Sequence, residues 1–139
     1  EIELVLKIGP NNEPTHMALG LDLTKRSVQD HLKEKSLPWA EAKAFTGSAV
    51  LGDWVEYNPK AEYSLEVNGY EVQKGSLALM SWTPQQLIAK LANWASVREG
   101  DILFTGTPSG VGPLSKNDEV TASLYIEGEH IISHHAKCV

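Results

Sequence analysis

Every second residue among the first eight is apolar, which is the pattern of a β-strand. One face of this strand carries four apolar side chains: Ile2, Leu4, Leu6 and Ile8. Glu1 and Glu3 therefore share the opposite face. Two carboxylates on one face repel each other unless both point into water or a hard cation such as Mg²⁺ binds both. A solvated surface is the commoner reason for this pattern, so the rest of the chain must decide.

Residues 17–23 form a mostly apolar run that predicts a buried strand, with Asp22 near its end. Thr24 is placed to cap a helix over residues 24–35, which would bury Val28 and Leu32 one turn apart. This helix brings Arg26 and Gln29 close to Asp22. A local ion pair between Asp22 and Arg26 is the plain alternative to a functional site.

Residues 40–54 are apolar, small and interrupted by glycine, and Lys43 is the one charge among residues 42–45. A lysine between alanines usually lies on the surface. If the segment is buried, however, the ammonium group needs a fixed anionic partner. Lys43 is thus a candidate site residue only if the segment packs inside the fold.

A hairpin is predicted around Asn68-Gly69, because this pair favours a type I′ turn between the flanking strands 63–67 and 70–73. A second helix is predicted to begin at Thr83-Pro84, where Gln86 completes a capping box with Thr83. It should bury four residues: Leu87, Ile88, Leu91 and Trp94.

A strand over residues 102–105 is followed by the glycine-rich loop 106–112, and another strand is predicted over residues 120–126. The loop could present backbone N–H groups and the Thr107 hydroxyl to an anionic ligand. It matches neither a P-loop nor a dinucleotide-binding fingerprint. From spacing alone a tight turn is the commoner explanation.

The composition fits one globular domain of 139 residues, with 42% hydrophobic and 22% charged residues. A net charge of -6 argues against nucleic-acid binding, because no basic stripe is present to neutralise phosphates. Cys138 is the single cysteine, so no intrachain disulfide forms and a reducing compartment is expected. No membrane association is expected, because the longest apolar runs are far shorter than a membrane span.

Four segments, in this order, resemble the fumarylacetoacetate hydrolase family. They are Glu1-Ile2-Glu3-Leu4, the run from Ala18 to Gln29, the run from Pro38 to Phe45, and the run from Glu99 to Gly112. The closest branch resembles the acylpyruvate hydrolases and oxaloacetate decarboxylases. The resemblance covers nearly the whole chain.

The resemblance implies a role for each matched residue. Glu1, Glu3 and Asp22 match the ligands of a divalent cation, which is Mg²⁺ or Mn²⁺, with Ca²⁺ as an alternative. The catalytic residues implied are Lys43, Gln29 and Arg26, and these three also bind the substrate together with two residues of the glycine-rich loop: Gly106 and Thr107.

The fold implied is α+β and mostly β, a mixed β-sandwich or roll with short helices, present as a homodimer in the cytoplasm or, in a eukaryote, in the mitochondrial matrix. The implied reaction is cleavage of a C–C bond in a short 2-oxo acid through a metal-stabilised enolate. It would be acylpyruvate or fumarylpyruvate hydrolysis, or oxaloacetate decarboxylation.

Two departures from the family pattern are expected to matter. Residues 1–139 are expected to form a single catalytic domain that lacks an N-terminal lid segment, which carries a proton-transferring His and Glu in the family, and one loop between Glu3 and Asp22. The alternatives are an isomerase or decarboxylase of aromatic catabolism, a non-catalytic interaction module, or an anion-binding loop at residues 106–112.

Overall fold

The computed structural model describes residues 1–139, which form nine β-strands and three α-helices. The strands are β1 Ile2–Ile8, β2 Pro14–Asp22, β3 Ala49–Leu51, β4 Val55–Glu56, β5 Ala61–Val67, β6 Tyr70–Ser76, β7 Ile102–Phe104, β8 Glu119–Ile126 and β9 Glu129–Lys137. The helices are α1 Arg26–Glu34, α2 Ala40–Lys43 and α3 Pro84–Ala92, and 3₁₀ turns occur at Pro10–Asn12 and Leu77–Leu79.

The strands form two antiparallel sheets. The first has the order β3-β2-β1-β7, with β4 also paired to β2, and the second has the order β6-β5-β8-β9. In the first sheet, β1 and β2 pair in a hairpin register that places Ile2 opposite Leu21 and Glu3 opposite Gly20. This register fixes where the acidic residues of the two strands meet.

The two sheets pack face to face on one hydrophobic core, as in a β-sandwich. The first sheet contributes Ile2, Leu4, Leu6, Met17 and Leu19, and the second contributes Ala61, Tyr63, Leu65, Val120, Ala122 and Leu124. The alternation predicted for β1 is therefore real, and its apolar face is the core face. The predicted class, mostly β with short helices, is confirmed. No helix is both long and apolar enough to cross a membrane.

Two local predictions are confirmed in detail. Asn68 and Gly69 have φ angles of 54° and 79°, as a type I′ turn between β5 and β6 requires. At the start of α3, the Thr83 hydroxyl accepts a hydrogen bond from the Gln86 backbone N–H, and the Gln86 side chain accepts one from the Thr83 N–H. Both signals depend only on neighbouring residues.

Two other predictions are wrong. Thr24 does not cap α1, which begins at Arg26 after Lys25 and has no side-chain cap. Trp94 is not buried by α3, because the helix ends at Ala92 and the Trp94 side chain is 81% exposed. In the same helix Ile88 is buried, as predicted.

Candidate metal and substrate site

The hairpin of β1 and β2 brings three carboxylates together. The Asp22 backbone N–H donates to the Glu1 carbonyl at 2.9 Å, which places these residues side by side at the end of the hairpin. Glu3 lies on the same face of β1 as Glu1. One carboxylate oxygen from each of Glu1, Glu3 and Asp22 lies within 4.8 Å of the other two. The short connection between the strands therefore does not keep the three predicted ligands apart.

Glu3 is buried, with only 5% of its surface exposed, so the solvated-surface interpretation does not apply to it. Its Oε2 accepts a hydrogen bond of 2.7 Å from the backbone N–H of Gly106. Burial raises the pKa of the Glu3 carboxyl, and the nearby Asp22 and Glu1 charges add to the rise, although the Gly106 hydrogen bond opposes it. Glu3 is thus a buried carboxylate whose only hydrogen-bond partner is neutral.

Lys43 contacts two of the three carboxylates. Its Nζ donates to Glu1 Oε2 at 2.8 Å, to Asp22 Oδ2 at 2.6 Å and to Thr24 Oγ1 at 2.6 Å. Burial acts to lower the pKa of Lys43, but the hydrogen bonds and charges of Asp22 and Glu1 outweigh it, so the pKa is raised. Most of residues 40–54 are exposed, so the expectation that Lys43 matters only in a buried segment is wrong. Lys43 is nevertheless not an isolated surface lysine, and it remains positively charged at neutral pH.

Arg26 and Gln29 extend this network along the first turn of α1. Arg26 Nη2 donates to Glu1 Oε1 at 2.6 Å, and Nη1 donates to Gln29 Oε1 at 2.7 Å. Arg26 does not pair with Asp22, so the local ion pair expected as an alternative is absent. Burial acts to raise the pKa of Glu1, but the Lys43 and Arg26 hydrogen bonds outweigh it and the pKa is lowered.

The donor set fits a hard divalent cation. Three carboxylates face two cationic side chains, and Lys43 and Arg26 both contact Glu1 while Glu3 has neither as a hydrogen-bond partner. A buried carboxylate without a cationic partner is costly. Clustered carboxylate oxygens are the donors that Mg²⁺, Mn²⁺ and Ca²⁺ prefer. Glu1, Glu3 and Asp22 are therefore the residues that could hold such an ion.

The loop after β7 supports the carboxylates through its backbone. Gly106 has a φ of +97°, a conformation that favours glycine, and its N–H group is the one that donates to Glu3. The Thr107 hydroxyl donates to the Ile2 carbonyl at 2.7 Å. These two predicted substrate-binding residues thus contact β1 itself, Gly106 at the Glu3 side chain and Thr107 at the backbone of Ile2.

Two polar residues at the site were not predicted. Thr24, expected as a helix cap, instead accepts the hydrogen bond from Lys43. Gln73 on β6 is 3% exposed and contacts both Ile2 and Thr107. No sequence signal marks Gln73, since a lone glutamine in a strand is usually a surface residue.

Two clefts flank the carboxylates. A cleft of about 840 Å³ is lined by Glu1, Asp22 and Arg26, and its remaining wall is largely apolar. A cleft of about 380 Å³ lies on the side of Gly106 and Thr107. Both are large enough for a small organic acid.

Tyr63 lines the smaller cleft, where its ring packs against Gly75. Burial, together with the Glu3 charge, raises its pKa from 10.0 to about 12. The folded state therefore keeps the Tyr63 proton at a pH where the unfolded chain has lost it, so stability should fall as the pH rises from about 10 to about 12. We expect the urea midpoint of Tyr63→Phe to fall less than that of the unsubstituted protein between about pH 10 and about pH 12. Parallel curves for the two proteins would contradict this expectation.

Comparison with known proteins gives a consistent result. The sequence model of the fumarylacetoacetate (FAA) hydrolase C-terminal domain matches residues 16–136. The chain is 42% identical over 113 residues to the mitochondrial oxaloacetate tautomerase FAHD1 of Homo sapiens, an alignment that covers 78% of the chain and 51% of that protein. It is 37% identical over 143 residues to the oxaloacetate tautomerase YcgM of Escherichia coli, with 89% and 64% covered.

A solved structure shares the fold and includes ligands. The fumarylpyruvate hydrolase of Pseudomonas aeruginosa in complex with Mn²⁺ and pyruvate superposes with a TM-score of 0.89 at 28% identity, covering 100% of the chain and 64% of that protein. The chain spans about half the length of the human relative that it matches.

Proposed function

The chain belongs to the fumarylacetoacetate hydrolase family, and we propose that it converts a short 2-oxo acid in a reaction that depends on a divalent metal ion. The resemblance predicted from the sequence is confirmed, including its branch, because the relatives are oxaloacetate tautomerases and fumarylpyruvate hydrolases. That this chain has the activity of these relatives is our proposal.

The observation that carries the proposal is the meeting of Glu1, Glu3 and Asp22 within 4.8 Å, with Lys43 on two of them. In this proposal the three carboxylates hold Mg²⁺ or Mn²⁺. The ion supplies a Lewis acid for the oxygens of a 2-oxo acid. Support for this assignment comes from the Mn²⁺ and pyruvate bound by the P. aeruginosa hydrolase.

Lys43 provides the electrostatic part of the mechanism. A 2-oxo acid that loses a proton or a carbon group at C3 develops negative charge on its C2 oxygen. The Lys43 ammonium, held among Glu1, Asp22 and Thr24, lies in a half-buried place where a fixed positive charge stabilises such an oxygen more than it would in water. Glu1 and Asp22 keep it protonated, and its three N–H donors are used by Glu1, Asp22 and Thr24, so it acts on the substrate as a fixed positive charge.

Arg26 and Gln29 orient the substrate. The Arg26 side chain is 47% exposed, and its guanidinium group has N–H donors beyond the two that bind Glu1 and Gln29. A guanidinium fork suits the planar carboxylate of a 2-oxo acid. Gln29 is only 3% exposed and its carbonyl oxygen accepts a hydrogen bond from Arg26, so in this proposal Gln29 acts by holding the guanidinium group in place.

The relatives support two reactions that share this chemistry. Oxaloacetate tautomerisation moves a proton between C3 and the C2 oxygen and breaks no C–C bond. It is supported by the relatives at 42% and 37% identity, which are oxaloacetate tautomerases. Cleavage of the C–C bond, predicted from the sequence, is supported by the fumarylpyruvate hydrolase of Ralstonia at 31% identity. Both reactions require the negative charge that develops on the C2 oxygen to be stabilised. Because the tautomerases are the more similar relatives, we propose oxaloacetate tautomerisation first and hydrolysis of an acylpyruvate or fumarylpyruvate second.

One side-by-side assay tests the proposal. With Mg²⁺ or Mn²⁺ present, we expect the protein to speed the keto–enol conversion of oxaloacetate or to consume fumarylpyruvate or acetylpyruvate, and we expect a chelator to abolish the rate. Absorbance of the enol form and release of pyruvate distinguish the reactions. If the protein neither binds Mn²⁺ nor acts on any of the three acids, the non-catalytic alternative would replace this proposal.

The compartment and the assembly also remain proposals. Relatives named as mitochondrial, together with a bacterial relative, support the mitochondrial matrix or the cytoplasm. A homodimer is proposed from family membership alone, and sedimentation at several protein concentrations would test it.

A further inference from the structure

Gln73 is a buried amide whose hydrogen-bonding groups are all used to link other segments. It lies on β6, in the second sheet, and is 3% exposed. Its Oε1 accepts a hydrogen bond of 3.0 Å from the Ile2 N–H, and its Nε2 donates at 2.9 Å to both Thr107 Oγ1 and the Pro108 carbonyl. One side chain of the second sheet thus joins the start of β1 to the loop after β7.

The peptide that Gln73 holds lies between two of the proposed metal ligands. Ile2 separates Glu1 from Glu3, and its carbonyl accepts the Thr107 hydroxyl hydrogen bond at 2.7 Å. The residue before Thr107 donates its N–H to Glu3. A displacement of the loop away from Ile2 would therefore also displace the hydrogen bond that Glu3 accepts.

Regular sheet pairing does not secure this part of the loop. The β1–β7 ladder covers only the three pairs from Val5↔Phe104 to Lys7↔Ile102. Beyond them, Thr105 still contacts the Leu4 carbonyl through its N–H and its hydroxyl. From Gly106 onward the contacts to β1 are the hydrogen bonds of Glu3, Thr107 and Gln73 described above.

We infer that Gln73 is a positioning residue, which fixes Glu1 and Glu3 relative to the Gly106–Pro108 loop and thereby sets the affinity of the site for a divalent cation. The inference rests on the proposed metal-dependent function. Groups that orient metal ligands without touching the metal commonly change metal affinity 10- to 100-fold when they are removed.

Gln73→Met tests the inference, because methionine has a similar length and no hydrogen-bonding amide. We expect the Kd for Mn²⁺, measured by titration calorimetry of the protein without substrate, to rise by about tenfold or more. We also expect the electron paramagnetic resonance spectrum of bound Mn²⁺ to change. Thr107→Val removes the Gln73–Thr107 hydrogen bond together with the direct Thr107–Ile2 hydrogen bond, so it loosens the same junction of β1 and the loop. It should also raise the Kd, which provides the test if Gln73→Met does not fold.

Ser123→Ala is the matched control for a general loss of stability. Ser123 is also buried and polar and lies in the second sheet, but it hydrogen-bonds to Ser133 at 2.8 Å and to none of the site residues. It should lower the melting temperature and leave the Mn²⁺ Kd unchanged. Glu71→Gln, an exposed position on β6 itself, should change neither quantity.

The outcomes separate the two proposals. If the unsubstituted protein binds no Mn²⁺, the proposed function fails before Gln73 is considered. If it binds Mn²⁺ and both Gln73→Met and Thr107→Val bind equally well, the positioning role is wrong and the metal site stands. A rise in Kd that Ser123→Ala reproduces would likewise reduce Gln73 to a stabilising residue.

Discussion

Asp22→Ala should abolish Mn²⁺ binding and metal-dependent turnover while leaving the fold intact. The substitution removes one of three carboxylates whose oxygens lie within 4.8 Å of each other, and no other acidic side chain of the chain joins this cluster. We expect the turnover rate to fall by more than the roughly 10- to 100-fold typical of residues that only orient metal ligands. Calorimetric titration with Mn²⁺ and the oxaloacetate assay measure the two effects.

The fold should tolerate this change because Asp22 is partly exposed and its loss also removes repulsion. The Asp22 side chain is 27% exposed and its ion pair with Lys43 is screened by solvent, so the pair contributes about 0–1 kcal/mol. Lys43 keeps its contacts with Glu1 and Thr24. Asp30→Ala, an exposed acidic position on α1, is the control and should bind Mn²⁺ normally. Full activity of Asp22→Ala in metal-buffered solution would remove Asp22 from the metal site.

Local pattern could place the acidic residues on two strands, but their assignment as metal ligands came from the family resemblance and not from the pattern. Alternation along β1 places Glu1 and Glu3 on one face, and the apolar run before Asp22 predicts the strand that pairs with it. What alternation could not show is the burial of Glu3, which depends on the loop after β7, about a hundred residues later in the chain. Burial is what distinguishes this carboxylate from an ordinary surface glutamate.

The polar residues that were missed or misjudged depend on tertiary contacts. Thr24 satisfies a local rule for a helix cap, but in the fold its hydroxyl accepts the hydrogen bond of Lys43, and the helix begins without it. Gln73 reaches the site only because the second sheet packs against the first. The Asn68-Gly69 turn was confirmed because its conformation depends on the two adjacent residues themselves and not on tertiary contacts.

Lys43→Met should reduce turnover far more than it changes the affinity for metal. Methionine keeps the length of the side chain and removes the charge that, in the proposed mechanism, stabilises the developing negative charge on the substrate. Loss of one such electrostatic group typically lowers kcat by about 10²- to 10³-fold. Lys35→Met, at an exposed position just after α1, is the control for removal of a lysine and should keep full activity.

Measurements of Mn²⁺ binding distinguish a catalytic role of Lys43 from a purely structural one. Without metal, Lys43 is the cation shared by Glu1 and Asp22, so its removal leaves those carboxylates to repel each other and should lower the melting temperature of the metal-free protein. Because a bound ligand stabilises the folded state by an amount set by its Kd, a nearly unchanged Kd means that Mn²⁺ should raise the melting temperatures of Lys43→Met and of the unsubstituted protein by similar amounts. A variant that binds Mn²⁺ with nearly unchanged Kd yet turns over slowly places Lys43 in the chemistry. An unchanged turnover rate of Lys43→Met would mean that Lys43 only stabilises Glu1 and Asp22 in the metal-free protein.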